Sequence, residues 1–474
     1  MPTFNTELFL FTLALIGAVI MVSALLSGLV ERTGLPQVAI FLGLGAAIGP
    51  AGLGLLDAGI QSPILRVVST LSLVLVLFTD AVSLNLTEVR THKLLAILVL
   101  GPGTLLSAGL TAGAAYWMLG LTVPMALILA SALASNDPVL LRGVLKRPQL
   151  SARVKQALRL ESGMNDAVLL PIVLVAMTVL SRGGLDGAGW SKLMVNILVL
   201  SPAAGVLTAL AAIGMLEFVR RRIGVRRDYE SIYSLGVAFA AFAAAESIHG
   251  SGFLAAFAAG IAISALDVEL CDCFLEYGET TAEMALMFTF VLFGTSIIWT
   301  GLAAITPATL LFTAMVFLIR PAAFVPALTP AHLGWRERLQ IGWFGPKGLS
   351  SLLLILLPVF AGIRGSEPLL TICCLIVLFS VVIHGLSPLL LKDSSEGSTA
   401  AAGPAPSPQT ITIDEVRKLA ETNTQHYIID SRSERTYDPK ITIPGSIRLH
   451  PDRPVTAANE TQLAREAILA VICA

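Results

Sequence analysis

The chain has 474 residues, of which 55% are hydrophobic and 13% are charged, and its formal net charge is −1. A mean hydropathy of +0.81 excludes a soluble domain of this size and indicates a polytopic membrane protein. The near-neutral charge offers no basic surface to a nucleic acid, so we expect no such partner.

Apolar runs follow one another along the chain, most of them close to the roughly 20 residues that a transmembrane helix needs. The first run is too long for a cleavable signal peptide and no cationic segment precedes it, so we expect it to be a helix of the membrane domain. The thirteen predicted spans lie near residues 8–30, 35–56, 64–86, 94–118, 123–145, 154–180, 193–219, 231–249, 252–265, 281–299, 307–328, 339–362 and 368–391.

Basic residues set the orientation of these predicted helices. With the N-terminus outside, the inside loops carry most of the lysines and arginines, and the outside loops carry few. This distribution predicts a cell-membrane protein with an outside N-terminus and a cytoplasmic C-terminus, and it requires an odd number of spans. The outside residues are Arg182, Lys192 and Arg364, and the densest inside cluster is Arg220, Arg221, Arg222, Arg226 and Arg227.

The sixth predicted span carries polar side chains that a lipid-facing helix would not tolerate. An ionised side chain at mid-bilayer costs at least about 2.5–3.5 kcal/mol, so Asp166 and Glu161 indicate a function or a buried partner. Ser162 lies four residues before Asp166 on the same helix face, and the two can present three oxygens to a small cation. Glu161 shares its face with Asn165 and is expected to pair with Arg320 of the eleventh span, which could equally be a purely structural ion pair.

Two other spans contain prolines and polar residues where a continuous helix is expected. The fifth has Ser135-Asn136-Asp137-Pro138, and the twelfth has Gly345-Pro346-Lys347-Gly348. Proline removes a backbone donor, and unpaired backbone at bilayer depth is tolerated only beside protein or a water-filled cavity. Both breaks fall in the fifth helix of a six-helix unit, which predicts inverted repeats with an ion site where the broken helices cross. Asp137 and Lys347 could neutralise the exposed dipole ends there.

As a set, these motifs resemble those of the monovalent cation:proton antiporters, the sodium/proton exchanger type of bacteria and archaea, in the NhaP-like branch with an Asn-Asp pair. The likeness covers nearly all of residues 8–391. It is carried by Asn136-Asp137-Pro138, Glu161-Ser162, Asn165-Asp166, Arg320-Pro321, Gly345-Pro346-Lys347-Gly348, Leu35–Leu42, Phe78-Thr79-Asp80, His249–Ala256 and His384-Gly385.

The resemblance implies an all-α domain of thirteen helices, a homodimer in the bilayer, and exchange of one monovalent cation, Na+ or K+, for one proton, with no cofactor. It implies that Asn165 and Asp166 form the ion site. Asn136 stands where the family usually has threonine, and Lys347 stands where it usually has arginine. Asp80 and Ser162 are further candidate ligands, although Asp80 has a rival interpretation near the cytoplasmic end of its span.

The mechanism expected from these residues is alternating access, with Asp166 binding either the cation or a proton. The two loaded states carry the same net charge, so the exchange should be electroneutral. A cation channel or a carrier of organic solutes is the alternative within the membrane class. The sequence lacks both the carbonyl-rich repeat of a channel filter and the aromatic or basic core residues that an organic anion needs.

The chain changes character after the last predicted span. Residues 392–409 are rich in Ser, Ala, Gly and Pro and are predicted to be a flexible linker. Residues 410–474 show alternating β and α patterns, with strands predicted at Tyr427–Asp430 and Ala470–Cys473 and a helix over 460–469.

This C-terminal piece resembles the first half of a rhodanese-like domain, through Ile413-Asp414-Glu415-Val416, Ile429-Asp430-Ser431-Arg432, Tyr437 and Ile443–Ile447. The resemblance places the active cysteine at Cys473, but the sequence given stops at Ala474, before the anion-cradling loop. We therefore expect a regulatory or vestigial domain. A membrane-anchored regulatory or sulfurtransferase-like protein is the alternative from a different class.

Overall fold

The computed structural model describes residues 37–84, 86–145, 147, 150–183, 186–223, 227–266, 268–386, 426–430, 446–448 and 468–472, together with residues 17, 21 and 25. The chain forms two compact units, Met1–Asp393 and Ser394–Ala474. Most of the first predicted span, and the predicted linker over 392–409, lie outside the described residues.

The first unit is built from helices. Its first half contains α1 (Gln37–Ile48), α2 (Pro63–Val82), α3 (Leu86–Thr91), α4 (Lys93–Leu98), α5 (Thr104–Leu119), α6 (Val123–Ala134), α7 (Pro138–Leu145) and α8 (Ala152–Arg182). Its second half contains α9 (Gly187–Val195), α10 (Ser201–Arg222), α11 (Arg227–Ser247), α12 (Gly252–Leu266), α13 (Val268–Thr295), α14 (Thr300–Ala303), α15 (Pro307–Ala327), α16 (Trp335–Trp343), α17 (Leu349–Phe360) and α18 (Ser366–Leu386). Single π-helical turns, Val99–Gly103 and Asn196–Leu200, join α4 to α5 and α9 to α10, and short 3-10 turns occur at Ile297–Trp299 and Thr329–Ala331.

Capping residues fix the ends of the two helices that carry the buried ion pair described below. α8 starts after Ser151, whose hydroxyl accepts the amide of Val154 at 3.3 Å, and it ends before Gly183, which has a left-handed φ of 68°. α15 starts after Thr306, whose hydroxyl accepts the amide of Thr309 at 3.1 Å. Each cap therefore satisfies one of the free backbone donors in the first turn of its helix.

Within the described residues, seven helical segments are long and apolar enough to cross a membrane, or eight if a pair bent by 55° counts as one span. This shows a multi-pass membrane protein but not the thirteen predicted spans. Four further predicted spans coincide with apolar helical stretches of 10–17 described residues: Gln37–Ile48, the Ile232–Ser247 part of α11, Gly252–Leu266 and Leu349–Phe360. The seven long segments are Pro63–Val82, Lys93–Leu119, Val123–Leu145, Ala152–Arg182, Gly187–Arg222, Pro307–Ala327 and Ser366–Gly385, and the bent pair is Thr280–Thr295 with Ile297–Ala303.

The helices pack in two sets. In the first, α5 packs on α6 and α15, α6 packs on α8, α17 and α18, and α15 packs on α16. In the second, α13 packs on α1 and α2, and α12 packs on α2, α10 and α11. We call the first group the broken-helix set, because both interrupted helices, α6–α7 and α16–α17, belong to it. The two sets touch where α2 packs on α8 and α17, where α1 packs on α7 and where α12 packs on α8.

The C-terminal unit contains three described strands, β1 (His426–Asp430), β2 (Ile447–Arg448) and β3 (Ile468–Ile472), in a parallel sheet of order β2-β1-β3. β1 and β3 contain the described parts of both predicted strands. The helix predicted over 460–469 is wrong at its last two residues, because Ile468 and Leu469 pair with β1. The remainder of that predicted helix lies outside the described residues.

Candidate functional site at the crossing of two broken helices

The two breaks predicted from proline and glycine contact each other in the fold. α6 ends at Ala134 and α7 begins at Pro138, while α16 ends at Trp343 and α17 begins at Leu349. The backbone amide of Asp137 donates to the carbonyl oxygen of Pro346 at 2.9 Å. Extended backbone is therefore buried inside the bundle, where protein groups rather than lipid surround it.

The Asp137 carboxylate caps the second half of both broken helices. One oxygen accepts the amides of Val139, at 2.8 Å, and Leu140, at 3.0 Å, in the first turn of α7. The other oxygen accepts the amide of Leu349, the first residue of α17. Asp137 is only 1% exposed, and its charge faces the positive ends of two helix dipoles. A side chain on Gly348 would collide with this carboxylate, so glycine is required for the close approach.

Lys347 reaches across the crossing to the first break. Its ammonium Nζ donates to Oδ1 of Asn136 at 3.2 Å, and both side chains are buried. The amide Nδ2 of Asn136 has no hydrogen-bond partner among the described residues. The structure thus gives Lys347 a side-chain partner where the sequence suggested a helix-dipole end.

Asp166 lies on α8 with 6% of its surface exposed. Its Oδ1 accepts the hydroxyl of Ser135, the residue that follows α6, at 2.7 Å. Sequence reasoning missed Ser135, because helical periodicity identifies neighbours within one helix and not those on a crossing helix. Ser162 is half-buried on the same helix as Asp166, and no hydrogen bond between them is found among the described residues.

Asn165 precedes Asp166 and is fully buried. Neither its amide oxygen nor its amide nitrogen has a hydrogen-bond partner among the described residues. Asn165 therefore has no hydrogen bond to Glu161 or Arg320 among the described residues. A buried amide without a partner costs about 1–3 kcal/mol, so its presence next to a buried carboxylate points to a polar ligand at this place.

Glu161 forms a bidentate ion pair with Arg320 of α15. The two nitrogen–oxygen distances are 2.5 and 2.8 Å, and the side chains are 0% and 4% exposed. Arg320 also donates to the carbonyl of Ile341 at 3.2 Å, and its guanidinium lies 4.4 Å from the ring centroid of Phe324. The pair joins α8 to α15 and α16, and both of its charges have partners.

Asp80 is the candidate ligand that lies on a different helix, α2, which packs on α8. It lies on α2, on the wall of a separate cavity of about 40 Å³ that is also lined by Thr79, Ser83, Arg142 and Glu283. Arg142 of α7 and Glu283 of α13 form an ion pair of 2.7 Å across this cavity, between the two helix sets. Asp80 thus lies beside charged residues, and its role as a ligand stays a prediction.

The crossing therefore brings the Ser135 hydroxyl to the Asp166 carboxylate, and the buried amide of Asn165 is the next residue along α8. Carboxylate, hydroxyl and amide oxygens are ligands that bind hard monovalent and divalent cations in proteins. Among the described residues, Asp137 and Glu161 are the other buried carboxylates near the crossing, and each is engaged by backbone amides or by Arg320. Asp166 is thus the acid best placed to exchange one ligand for another.

This fold and site define a class of membrane protein in which two broken helices cross beside a buried acid. A family model described as sodium/hydrogen exchanger, transmembrane, matches residues 18–392, and the chain therefore belongs to the sodium/hydrogen exchanger family.

Relatives with curated descriptions are ion antiporters. The chain is 25% identical over 383 residues to the K(+)/H(+) antiporter NhaP of Alkalimonas amylolytica. It is 26% identical over 383 residues to the K(+)/H(+) antiporter NhaP2 of Shewanella sp. (strain MR-4). Each match covers 79% of this chain and 65% of the relative. It is 25% identical over 346 residues to the Na(+)/H(+) antiporter NhaG of Bacillus atrophaeus, covering 68% of this chain and 63% of that protein. The chain thus spans just under two thirds of the length of these relatives.

A solved structure has a similar fold. The sodium proton antiporter MjNhaP1 from Methanocaldococcus jannaschii, determined at pH 8, matches with a TM-score of 0.67 at 19% identity, and the match covers 80% of this chain and 100% of that one.

Proposed function

We propose that this protein is a secondary transporter that exchanges a monovalent cation, Na+ or K+, for a proton across the membrane. The observation that carries the proposal is the buried Asp166 carboxylate, which meets Ser135 of a broken helix beside the unpartnered Asn165. Family membership and the names of the relatives, which include K(+)/H(+) and Na(+)/H(+) antiporters, support the same reaction.

Asp166 is the shared site in this proposal. A protonated carboxyl group has lost the negative charge that attracts a cation, so the proton and the cation compete for Asp166. The Ser135 hydroxyl donates to the empty carboxylate, and after rotation of its hydrogen it offers a lone pair to a bound cation. The amide oxygen of Asn165 supplies a neutral ligand, and Asn136 and Ser162 are further candidates on the two helices.

The surrounding charges hold the site in place. Glu161 and Arg320 neutralise each other and connect α8 to α15, while Asp137 is fixed by three backbone amides. With these acids engaged, Asp166 alone takes up and releases a proton. One proton then exchanges for one cation, and no net charge crosses the membrane.

Alternating access follows from the division of the bundle. The broken-helix set carries the site, and the second set packs against it through α2, so movement of one set relative to the other exposes Asp166 to one side at a time. In the proposed architecture, thirteen helices form two inverted six-helix units around the seventh, with the N-terminus outside, the C-terminus in the cytoplasm, and two chains per functional unit. The contact between the breaks of the fifth and twelfth helices supports the inverted arrangement.

The C-terminal unit is proposed to be a partial rhodanese-like domain with a regulatory role. Its parallel strands are compatible with the alternating β and α pattern of the sequence. Transport chemistry is assigned to the membrane unit, because all the buried charges of the crossing lie before residue 391.

The test is cation-driven recovery of a quenched acridine dye in everted vesicles, run separately with Na+, K+ and Li+. The wild-type protein should respond to at least one of them, which also identifies the substrate. Asp166→Asn should abolish the response at equal protein level, because an amide cannot bind and release a proton. Asp186→Asn is the matched control, because Asp186 caps α9 outside the site and asparagine caps a helix equally well. A response that persists in Asp166→Asn contradicts the proposal.

A further inference from the structure

Two side chains of α18, one helical turn apart, hold both ends of the break between α16 and α17. The backbone amide of Lys347 donates to the hydroxyl of Ser380 at 2.7 Å. That hydroxyl lies 3.1 Å from Nδ1 of His384, and Nε2 of His384 lies 3.1 Å from the carbonyl oxygen of Trp343. Ser380 and His384 are 0% and 5% exposed.

Hydrogen-bond chemistry assigns the direction of this chain of contacts. A carbonyl oxygen only accepts, so Nε2 of His384 carries the hydrogen that Trp343 receives. In the neutral imidazole Nδ1 is then an acceptor, and the Ser380 hydroxyl donates to it while accepting from Lys347. All the donors point the same way, from Lys347 through Ser380 and His384 to Trp343, an order in which each bond polarises the next.

Without these side chains the Lys347 amide would lack a partner, and the Trp343 carbonyl would keep only the amide of Gly345, which donates to it at 2.9 Å. Trp343 is the last residue of α16, where carbonyls have no partner within the helix. The Lys347 amide precedes α17 and follows Pro346, which has no backbone donor. Inside a membrane protein such groups need a protein partner, and α18 supplies one to each.

The break between α16 and α17 carries Lys347, whose side chain reaches Asn136 at the crossing. Lys347 donates from its ammonium to Asn136 and from its backbone to Ser380, so the position of its backbone determines where its charge lies. The imidazole ring of His384 is itself held between the rings of Phe317 and Trp343, with centroid distances of 5.5 and 5.9 Å.

We propose that Ser380 and His384 are positioning residues for transport: they fix the backbone of the α16–α17 break so that the Lys347 ammonium meets Asn136 at the crossing. The proposal rests on the exchange function proposed above. It assigns a role to the histidine of the His384-Gly385 motif, which the ion site itself does not use.

The first measurement is independent of transport. Hydrogen exchange, followed by mass spectrometry of peptides covering residues 343–350, reports the protection of the Lys347 amide in purified protein. Ser380→Ala should raise the exchange rate of this amide at least tenfold, because its acceptor is gone. Thr371→Ala on the same helix should leave it unchanged, since the Thr371 hydroxyl bonds the carbonyl of Glu367 within α18. Unchanged protection of the Lys347 amide in Ser380→Ala overturns the proposal.

The second measurement separates positioning from general stability. In Ser380→Ala and His384→Ala, the apparent KM for the transported cation should rise several-fold at a thermal midpoint close to that of the wild type. His384→Gln, whose amide can donate to Trp343, and Ser380→Thr, which keeps the hydroxyl, should recover most of the wild-type KM. If the alanine variants do not fold, His384→Gln and Ser380→Thr must still show an apparent KM slightly above the wild-type value. Increased amide exchange with an unchanged KM overturns the positioning role, and a wild-type protein with a protected amide but no exchange activity overturns only the proposed function.

Discussion

The Asp137 carboxylate accepts the backbone amide of Leu349 from the opposite broken helix, as well as two amides of its own helix. One acid thereby holds the first turns of α7 and α17 together at the point where they cross. In a helix pair that is interrupted inside a membrane, this arrangement satisfies donors that would otherwise face hydrocarbon.

Substitutions of Asp137 should reduce stability in a defined order. Asp137→Asn keeps one acceptor oxygen, and Asp137→Ala removes both and leaves three buried amides without partners. A lost helix cap costs about 0.5–2 kcal/mol, so the thermal midpoint in detergent should fall for asparagine and fall further for alanine. Equal midpoints for the two variants would show that the carboxylate does not cap both helices.

The Glu161–Arg320 pair should matter for folding more than for cation affinity. Removing one partner of a buried pair typically costs about 3–5 kcal/mol, so Arg320→Ala and Glu161→Ala should each lower the thermal midpoint strongly. The double variant should recover part of the loss, because no bare charge remains.

The matched control for this pair is Arg142–Glu283, whose side chains are 46% and 30% exposed. Such a pair contributes about 0–1 kcal/mol, and its alanine variants should melt near the wild type. A Glu161→Ala, Arg320→Ala double variant that melts no higher than the worse single variant would argue against the pairing.

The structure indicates Ser135 as the partner of Asp166, whereas the sequence indicates Ser162. Ser135 bonds Asp166 in the structure, whereas Ser162 shares only its helix face. Ser135→Ala removes the hydroxyl oxygen that the proposal gives to the bound cation, so it should raise the apparent KM for the cation about tenfold. Ser162→Ala should change it less. The measurement is the cation dependence of dye recovery in vesicles, and the reverse order would favour the sequence-based assignment.

Because a single acid titrates in the proposed mechanism, we expect the exchange to move no net charge across the membrane. In liposomes, a cation gradient should drive proton movement, seen with an internal pH dye, without a response of a voltage-sensitive dye. A potassium gradient with valinomycin gives the voltage dye its full response as a control. Moved charge responds to voltage at about 2.3 kcal/mol per unit charge per 100 mV. A potential generated by the exchange itself would require a second proton, for which Glu161 and Asp137 are the remaining acids.

Much of the site could be predicted from the sequence because its signals are local. Proline and glycine inside apolar runs mark both breaks. Arg320 is a lone arginine in an apolar span and is therefore expected to pair with Glu161, as it does in the structure. Fold class follows from composition in the same way.

Contacts between crossing helices could not be predicted from periodicity. Ser135 meets Asp166, Lys347 meets Asn136, and Asp137 meets Leu349 only because α6–α7, α8 and α16–α17 pack at one place. Helix ends are a second example, because apolar composition continues past the residue at which a helix ends, as it does after Ile48. Helix ends depend on turns and caps, which a hydropathy run does not show.

Competition between proton and cation for Asp166 is the central claim, and the apparent KM of the cation as a function of pH tests it most directly. Cation uptake into proteoliposomes should be measured with the same pH on both sides, from neutral pH downwards. If one carboxylate serves both substrates, protons occupy it as the pH falls, and below the pKa of that carboxylate the apparent KM should rise about tenfold for each pH unit while the maximal rate stays constant. A KM that does not change with pH, together with a falling maximal rate, would contradict the claim and place the proton on a different group.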